Sequence, residues 1–242
     1  VVLMTPTHFI CANAGDSRAI LVQKKRVLPL SFDHKPTDPP EEARIVAAGG
    51  KVSIKRVDGD LAVSRGLGDF SFKNRPDLPP DQQKVTCCPE ILVEPRQSSQ
   101  DEFIILACDG IWDVASNESC AKLVHAILDE GETDIGLVCE EILDTCLERD
   151  SRDNMTVAMV TLPAIQMSYS NSNTSTSSFP IANFFKRSIS NSNGNSSMNS
   201  SQSNDKKVGV WARRAKRQAK QAPASASGTT QKQTIITTNN KI

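Results

Sequence analysis

The sequence predicts an α+β fold built on antiparallel strands, and three observations carry that reading. From Leu3 to Leu30, short apolar runs are separated by turn residues every few positions, the pattern of an antiparallel meander. Apolar residues recur at helical spacing in two neighbouring blocks, Cys120 to Leu128 and Val138 to Cys146. Between meander and helices, Ile104-Ile105-Leu106-Ala107 is an apolar run too short for a helix, and it ends abruptly in Asp109-Gly110. A buried strand here delivers a carboxylate to a sheet edge.

Leu3-Met4 and His8 to Asn13 are two short strands around Thr5-Pro6-Thr7; the second runs into the turn Gly15-Asp16-Ser17-Arg18. Ala19 to Val22 resumes as a strand, and Lys24-Lys25-Arg26 turns the chain into Val27 to Leu30. After Ser31 to Pro36 leaves the sheet, Thr37-Asp38-Pro39-Pro40-Glu41-Glu42 has the makings of a helix start: a capping side chain, prolines in the first turn, and acids facing the helix dipole. Ala43, Ile45, Val46 and Ala47 give that helix its apolar face, and Gly49-Gly50 ends it. Lys51 to Val57 alternates like a half-buried strand, Asp58-Gly59-Asp60 reverses it, and Leu61 to Val63 is its expected partner.

Ser64 to Asp69 is glycine-rich without the spacing of a phosphate-binding loop and reads as a loop packed under a sheet; Phe70 to Lys84 reads as a long surface loop. Cys88 to Glu94 is an edge strand, with Pro89 tolerated at its start. Two helices follow the 104–107 strand, from Asn117 and from Ile135, and the charged loop Arg149 to Asn154 leads into a clear strand at Met155 to Leu162. Asp153 therefore sits at a strand entrance as Asp109 sits at a strand exit. If the two strands are antiparallel neighbours, both carboxylates share one sheet edge. Asp-Gly is also a common turn pair, and Asp113 could simply cap the next helix.

Composition divides the chain. Up to Pro163 there are 27 Asp plus Glu against 17 Lys plus Arg; from Ala164 the counts are 1 and 11. The acidic body at 1–163 is read as one folded region. The Ser/Asn-rich tail at 164–242 is read as disordered, having too few apolar residues to offset the entropy of ordering. Its basic segment at 206–220 suits nuclear import, an acidic surface, contact with the body, or plain solvation. Nucleic-acid binding is not indicated, because Trp211 is the lone aromatic there for base stacking. The seven cysteines match neither a zinc module nor a disulfide framework and read as reduced thiols of an intracellular protein. No apolar run is long enough to span a membrane.

Several segments together resemble, in order and spacing, the metal-dependent serine/threonine protein phosphatases of type 2C (the PPM family). They are Ala14 to Arg18, Asp33-His34-Lys35-Pro36, Ala48-Gly49-Gly50, Leu61 to Asp69, Pro89-Glu90-Ile91, Ala107 to Val114 and Ser151 to Asn154. The resemblance runs from about residue 3 to 163. It implies an antiparallel β-sandwich of two packed sheets flanked by helices, with a centre of two or three Mg²⁺ or Mn²⁺ ions at one end. It implies that Asp109 and Asp153 are metal ligands and that Asp33 and Asp113 join Asp109 around a further, weaker ion. The implied reaction is hydrolysis of phosphoserine or phosphothreonine in protein substrates by a metal-activated water, with no covalent phospho-enzyme. His34 is read as structural.

The family's domain opens with an acidic ligand, an Asp-Gly-His-Gly-Gly motif whose aspartate bridges two metals, and a phosphate-binding arginine. None of these occurs in the 242 residues, and Gly66 stands where the family usually has alanine. The sequence therefore reads as the C-terminal portion of a type 2C domain, incomplete at its N-terminus, with little activity expected of this stretch alone. The alternative is a non-catalytic truncated pseudophosphatase acting as a binding module. Either protein is expected to be a monomer of the cytoplasm or nucleus.

Overall fold

The computed structural model describes residues 1–24, 26–165 and the backbone of 235–237; the basic segment at 206–220 and most of the expected tail lie outside the described residues. In chain order the elements are β1 (Val2–Met4), β2 (His8–Asn13), β3 (Arg18–Gln23), β4 (Arg26–Pro29), α1 (Pro39–Ala47), β5 (Val52–Ser53) and β6 (Arg56–Val57). They continue with β7 (Glu90–Pro95), β8 (Asp101–Ala107), α2 (Asp109–Trp112), α3 (Asn117–Asp129), α4 (Ile135–Glu148), β9 (Val157–Thr161) and β10 (Ile235–Thr237). No helix among the described residues is long and apolar enough to cross a membrane.

Two sheets pack face to face. One has the strand order β1-β2-β7, the other β10-β9-β8-β3-β4. Side chains alternate across a strand, so β2 turns Phe9 and Cys11 inward while β3 and β8 offer Ala19, Leu21 and Ile104 to the same layer, closed by Leu30 and Leu162. The opposite face of the larger sheet is also covered: α3 lies against β4 and α4 against β9, and the Phe103 ring meets His125 of α3 edge-on at 5.3 Å. Burial on both faces explains why β3 and β8 read as continuous apolar runs rather than alternating ones. The expected α+β class and helix-flanked antiparallel sandwich are both found.

The smaller sheet's outer face is bare in these residues. The register aligns Leu3, Ile10 and Val93 in one row across its three strands. Leu3 and Val93 are exposed and Ile10 is half-buried.

Beneath the sandwich, residues 36–86 make a satellite around Ile45, Val57 and Val85, with Val52, Leu61 and Phe72 against them. Here the structure departs from the sequence reading. Lys51–Val57 is a tight hairpin rather than one strand: Val52 pairs with Val57 and Ser53 with Arg56. Ile54 and Lys55 turn the chain with φ of 52° and 59°. Such values disfavour a β-branched residue, so no turn signal is visible at these positions. Asp58-Gly59 does reverse the chain, but it returns only far enough for a single bridge between Val57 and Leu61. The 70–84 loop is pinned from within by Gln83, whose side-chain amide donates to Arg75 O and Leu78 O at 2.7 and 2.8 Å.

At the far end the ordered chain passes the expected boundary at Pro163. Ala164 and Ile165 are buried, and Ile165 N donates to Leu162 O. In the stretch read as an unordered tail, β10 pairs in parallel with β9, Ile235 opposite Val157. Its β-branched run Ile235-Ile236-Thr237 supplies the local propensity that composition alone obscures.

Candidate metal centre

The C-terminal end of β8 fixes the site. Ala107 pairs with Arg18 at the start of β3 on one side and with Val157 at the start of β9 on the other. The 14–17 turn, the Cys108–Asp113 turn of helix and the 151–156 loop therefore all emerge at one end of the sheet. This is the shared edge that the antiparallel placement of Asp109 and Asp153 requires.

The segment after β8 is locked by close backbone approach. Gly110 lies so near the 151–156 loop that a Cβ there would sit 2.5 Å from Asn154 O. Ser151 Oγ donates to Gly110 O at 2.7 Å, and the Cys108 thiol donates to Asn154 O at 3.3 Å while accepting from Thr156 N at 3.2 Å. Trp112 Nε1 reaches back to Ala107 O at 2.8 Å, anchoring the turn on the strand that precedes it.

Three other carboxylates bear on Asp109. Burial pushes the Asp109 carboxyl above its ordinary range, and the negative charges of Asp16, Asp153 and Asp113 push it further. Asp113, Asp153 and Asp16 are thus near enough for their charges to be felt at Asp109. Asp33 is placed otherwise: both its oxygens accept from Arg18, at 2.8 and 2.9 Å, in a bidentate pair. The same guanidinium donates to Asn117 Oδ1 at 2.8 Å and lies over the Trp112 ring at 5.2 Å. Asp33 thereby ties the 31–36 segment to the sheet end.

Asp16 escaped the sequence reading because an Asp and an Arg two residues apart in a turn look like a surface pair. The signal lies in topology: a turn entering β3 must open at the edge where β8 ends if those strands are antiparallel neighbours. Lys35 Nζ donates to Asp16 Oδ2 at 2.6 Å. Burial opposes the charge on Lys35, but pairing with Asp16 and the fields of Asp33 and Asp113 outweigh it and strengthen its ammonium form.

His34 lies beneath this end of the sheet, buried. Its Nδ1 accepts from Gly15 N at 3.3 Å, so the ring carries its proton on Nε2, 3.6 Å from Glu90. Burial and the Arg65 guanidinium keep its pKa below the ordinary value, which fits the structural role read from the sequence. The 64–69 loop, expected to pack under a sheet, is anchored only at its start: Ser64 is buried, whereas Leu67 is exposed and a Cβ at Gly66 or Gly68 would meet nothing within 4 Å. Ser64 N donates to His34 O and Gly66 N to Thr86 O. A Cβ at Gly66 would meet nothing within 4 Å, so glycine in place of alanine there carries no packing consequence.

Buried Glu41 organises the satellite. Its carboxylate accepts from Arg65 at 2.6 Å and from Ser64 Oγ at 2.6 Å, and pairs with Arg44 at 2.8 Å. Burial would raise its pKa, but these partners hold it down at about 2. The sequence reading gave this residue only a place among the acids of the first helical turn.

All the donors around Asp109 are carboxylate oxygens, the chemistry that suits Mg²⁺ or Mn²⁺. Their mutual repulsion at Asp109 is what a bound dication would relieve. Yet no three His, Cys, Asp or Glu side chains among the described residues are drawn into one metal-holding group. The carboxylates around Asp109 are thus the donor type such an ion takes, without forming a ligand set for one by themselves.

The family described as Protein phosphatase 2C matches residues 1–155. Protein phosphatase ppm-1.A of Caenorhabditis elegans is 46% identical over 162 residues, which are 67% of this chain and 34% of that protein. Human Protein phosphatase 1A is 46% identical over 162 residues, covering 67% of this chain and 42% of that protein. The chain thus spans well under half the length of these curated relatives. Among solved structures, a phosphatase from a pathogenic strain of Toxoplasma gondii superposes with a TM-score of 0.58 at 36% identity, over 63% of this chain and 47% of that one. A C. elegans sex determining protein superposes with a TM-score of 0.54 at 30% identity, over 63% of this chain and 36% of that one.

Proposed function

The chain belongs to the protein phosphatase 2C family, and from that premise we propose that it forms part of a metal-dependent phosphatase acting on phosphoserine and phosphothreonine in protein substrates. The observation that carries the proposal is the β3-β8-β9 register, which sets Asp109, Asp153 and Asp16 at one end of one sheet. Asp109 and Asp153 would hold the Mg²⁺ or Mn²⁺ ions, with Asp113 and Asp16 beside Asp109. When bound, such ions supply Lewis acidity toward phosphoryl oxygens and a water of lowered pKa.

The chain's own residues do the positioning. Rigid β8 and the Gly110–Asn154 contact keep Asp109 and Asp153 at a fixed separation, so the ligands need little reorganisation. Arg18 holds Asp33 and Asn117, joining the 31–36 segment to the start of α3 on the rim of the site. Buried, neutral His34 with Nδ1 engaged by Gly15 is a support for this rim rather than a proton donor to substrate. The 242 residues contain no Asp-Gly-His-Gly-Gly motif, so in this reading the acidic ligand of that motif would come from residues outside them.

A chimera tests this reading. The N-terminal segment of human Protein phosphatase 1A that carries Asp-Gly-His-Gly-Gly is joined to Val1, and Mn²⁺-dependent phosphate release from a phosphothreonine peptide is measured. Turnover should appear in the chimera, be near zero in the 242-residue chain, and fall by at least about a hundredfold in D109N or D153N. A folded chimera without metal-dependent turnover would favour the non-catalytic binding module instead.

A further inference from the structure

The larger sheet ends on β4 at one side, and at the other it would end on β9 were it not for β10. An edge strand offers unpaired N–H and C=O groups to any other chain, and charged residues or proline are the usual safeguard. β4 has both, opening on Arg26 and closing on Pro29. β9, which reads Val157-Ala158-Met159-Val160-Thr161, has neither. Its pairing with β8 fixes which way its backbone groups point. Leu162 N donates to Glu102 O and Cys108 N to Thr156 O, and between those bonds the register is unbroken, with Ile104 opposite Val160 and Leu106 opposite Ala158. In an antiparallel ladder alternate residues bond to the same neighbour. Ala158 and Val160 therefore aim their N–H and C=O groups at β8, while Val157, Met159 and Thr161 aim theirs at the outer side. There β10 runs parallel to β9, with Ile235 opposite Val157, Ile236 opposite Ala158 and Thr237 opposite Met159. In a parallel ladder a residue bonds to the two that flank its opposite number, so Ile236 reaches Val157 and Met159. Residues 231–242 belong to the same compact unit as 1–167, and α4 lies against β10 as it does against β9.

We propose that the outer edge of β9 is a strand-addition site, which this chain fills with its own segment Ile235-Ile236-Thr237. The partner that fits is a short, extended, uncharged segment rich in β-branched residues. Main-chain hydrogen bonds hold such a strand, and a high propensity for extended chain lowers the cost of ordering it. Three residues in a parallel ladder make a weak clasp, so the built-in strand is exchangeable, and a segment of the same sequence from another molecule takes the same place. The edge adjoins the candidate site: Val157, the first residue that β10 pairs with, follows directly on the 151–156 loop that carries Asp153.

Residue-resolved amide hydrogen exchange in the 242-residue chain is the test. The Met159 amide faces β10, and it should exchange at least about tenfold faster once residues 231–242 are removed, because its opening no longer breaks a ladder bond. The amides of Ala158 and Val160 face β8, should keep their protection, and so show that the sheet is intact. The peptide 231–242, added in trans to the shortened chain, should restore the protection of Met159. I236P in the full 242 residues takes a donor out of the ladder and should free Met159 in the same selective way, without any truncation. Protection of Met159 that survives both changes overturns the assignment, whether or not a second copy has taken the edge. A loss shared equally by Ala158 and Val160 in both variants overturns it too, as does a peptide that leaves Met159 unprotected.

Discussion

Asp109 carries an electrostatic cost in the metal-free chain. Burial and three neighbouring carboxylates disfavour its charge, so D109N should raise the stability of the metal-free protein. The same substitution should remove Mn²⁺ binding, and thermal melts with and without Mn²⁺ would show the two effects in opposite directions. A D109N chain less stable than the parent without metal would contradict the electrostatic account. Glu41 presents the reverse case. Its folded-state pKa of about 2 lies below the ordinary 4.5. Its contribution is therefore complete above about pH 4.5 and drains away as the pH falls toward 2. E41Q should lower stability at neutral pH by about 3 kcal/mol, because Arg44 and Arg65 lose a buried partner. It should also flatten the acid limb of the stability curve in that window; an acid limb identical to the parent's would rule out this assignment. These two residues were unequally legible. The strand exit betrays Asp109 from sequence, whereas of the partners of Glu41 only Arg44 is local and Ser64 and Arg65 lie 23 and 24 positions away in a loop that shows no periodicity.

At the scale of elements, the contact between α2 and the 151–156 loop sets the spacing of the candidate ligands. G110A would push a Cβ onto Asn154 O and against Met155. It should destabilise the protein by about 1–3 kcal/mol, although alanine is the better helix former. Its Mn²⁺ affinity should also fall, since the loop carrying Asp153 has to retreat. Calorimetric melts and a metal titration on the same samples would check both, and an unaltered affinity would show that the loop spacing does not govern the ligands. Long buried strands were readable because burial on both faces writes itself as an apolar run, as in β3 and β8. Short elements were not: the β5–β6 hairpin turns through Ile54 and Lys55, residue types that advertise extended chain. Asp16 was hidden for a related reason, since its importance comes from the strand that neighbours β3 in space. Asp33 was drawn into the expected ligand set by resemblance, and the structure gives its carboxylate to Arg18.

For the molecule as a whole, the row Leu3–Ile10–Val93 on the smaller sheet sets how the protein behaves at high concentration. A second row runs beside it, where Val1 and Ala12 exchange backbone hydrogen bonds and Ala12 faces Ile91. Together they make an apolar strip three strands wide, about 10 Å across at ordinary strand spacing. The native state should therefore enhance the fluorescence of anilinonaphthalene sulfonate without any unfolding. Light scattering should rise with concentration and with sulfate, which strengthens apolar contact. L3K combined with V93T should quench both signals while changing stability by no more than about 0.5 kcal/mol, as expected for exposed positions. Dye binding that survives this pair of changes would place the sticky surface elsewhere. The same strip makes the isolated chain a demanding reagent: its shelf life in concentrated solution is governed by a sheet face that carries no aspartate of the candidate centre.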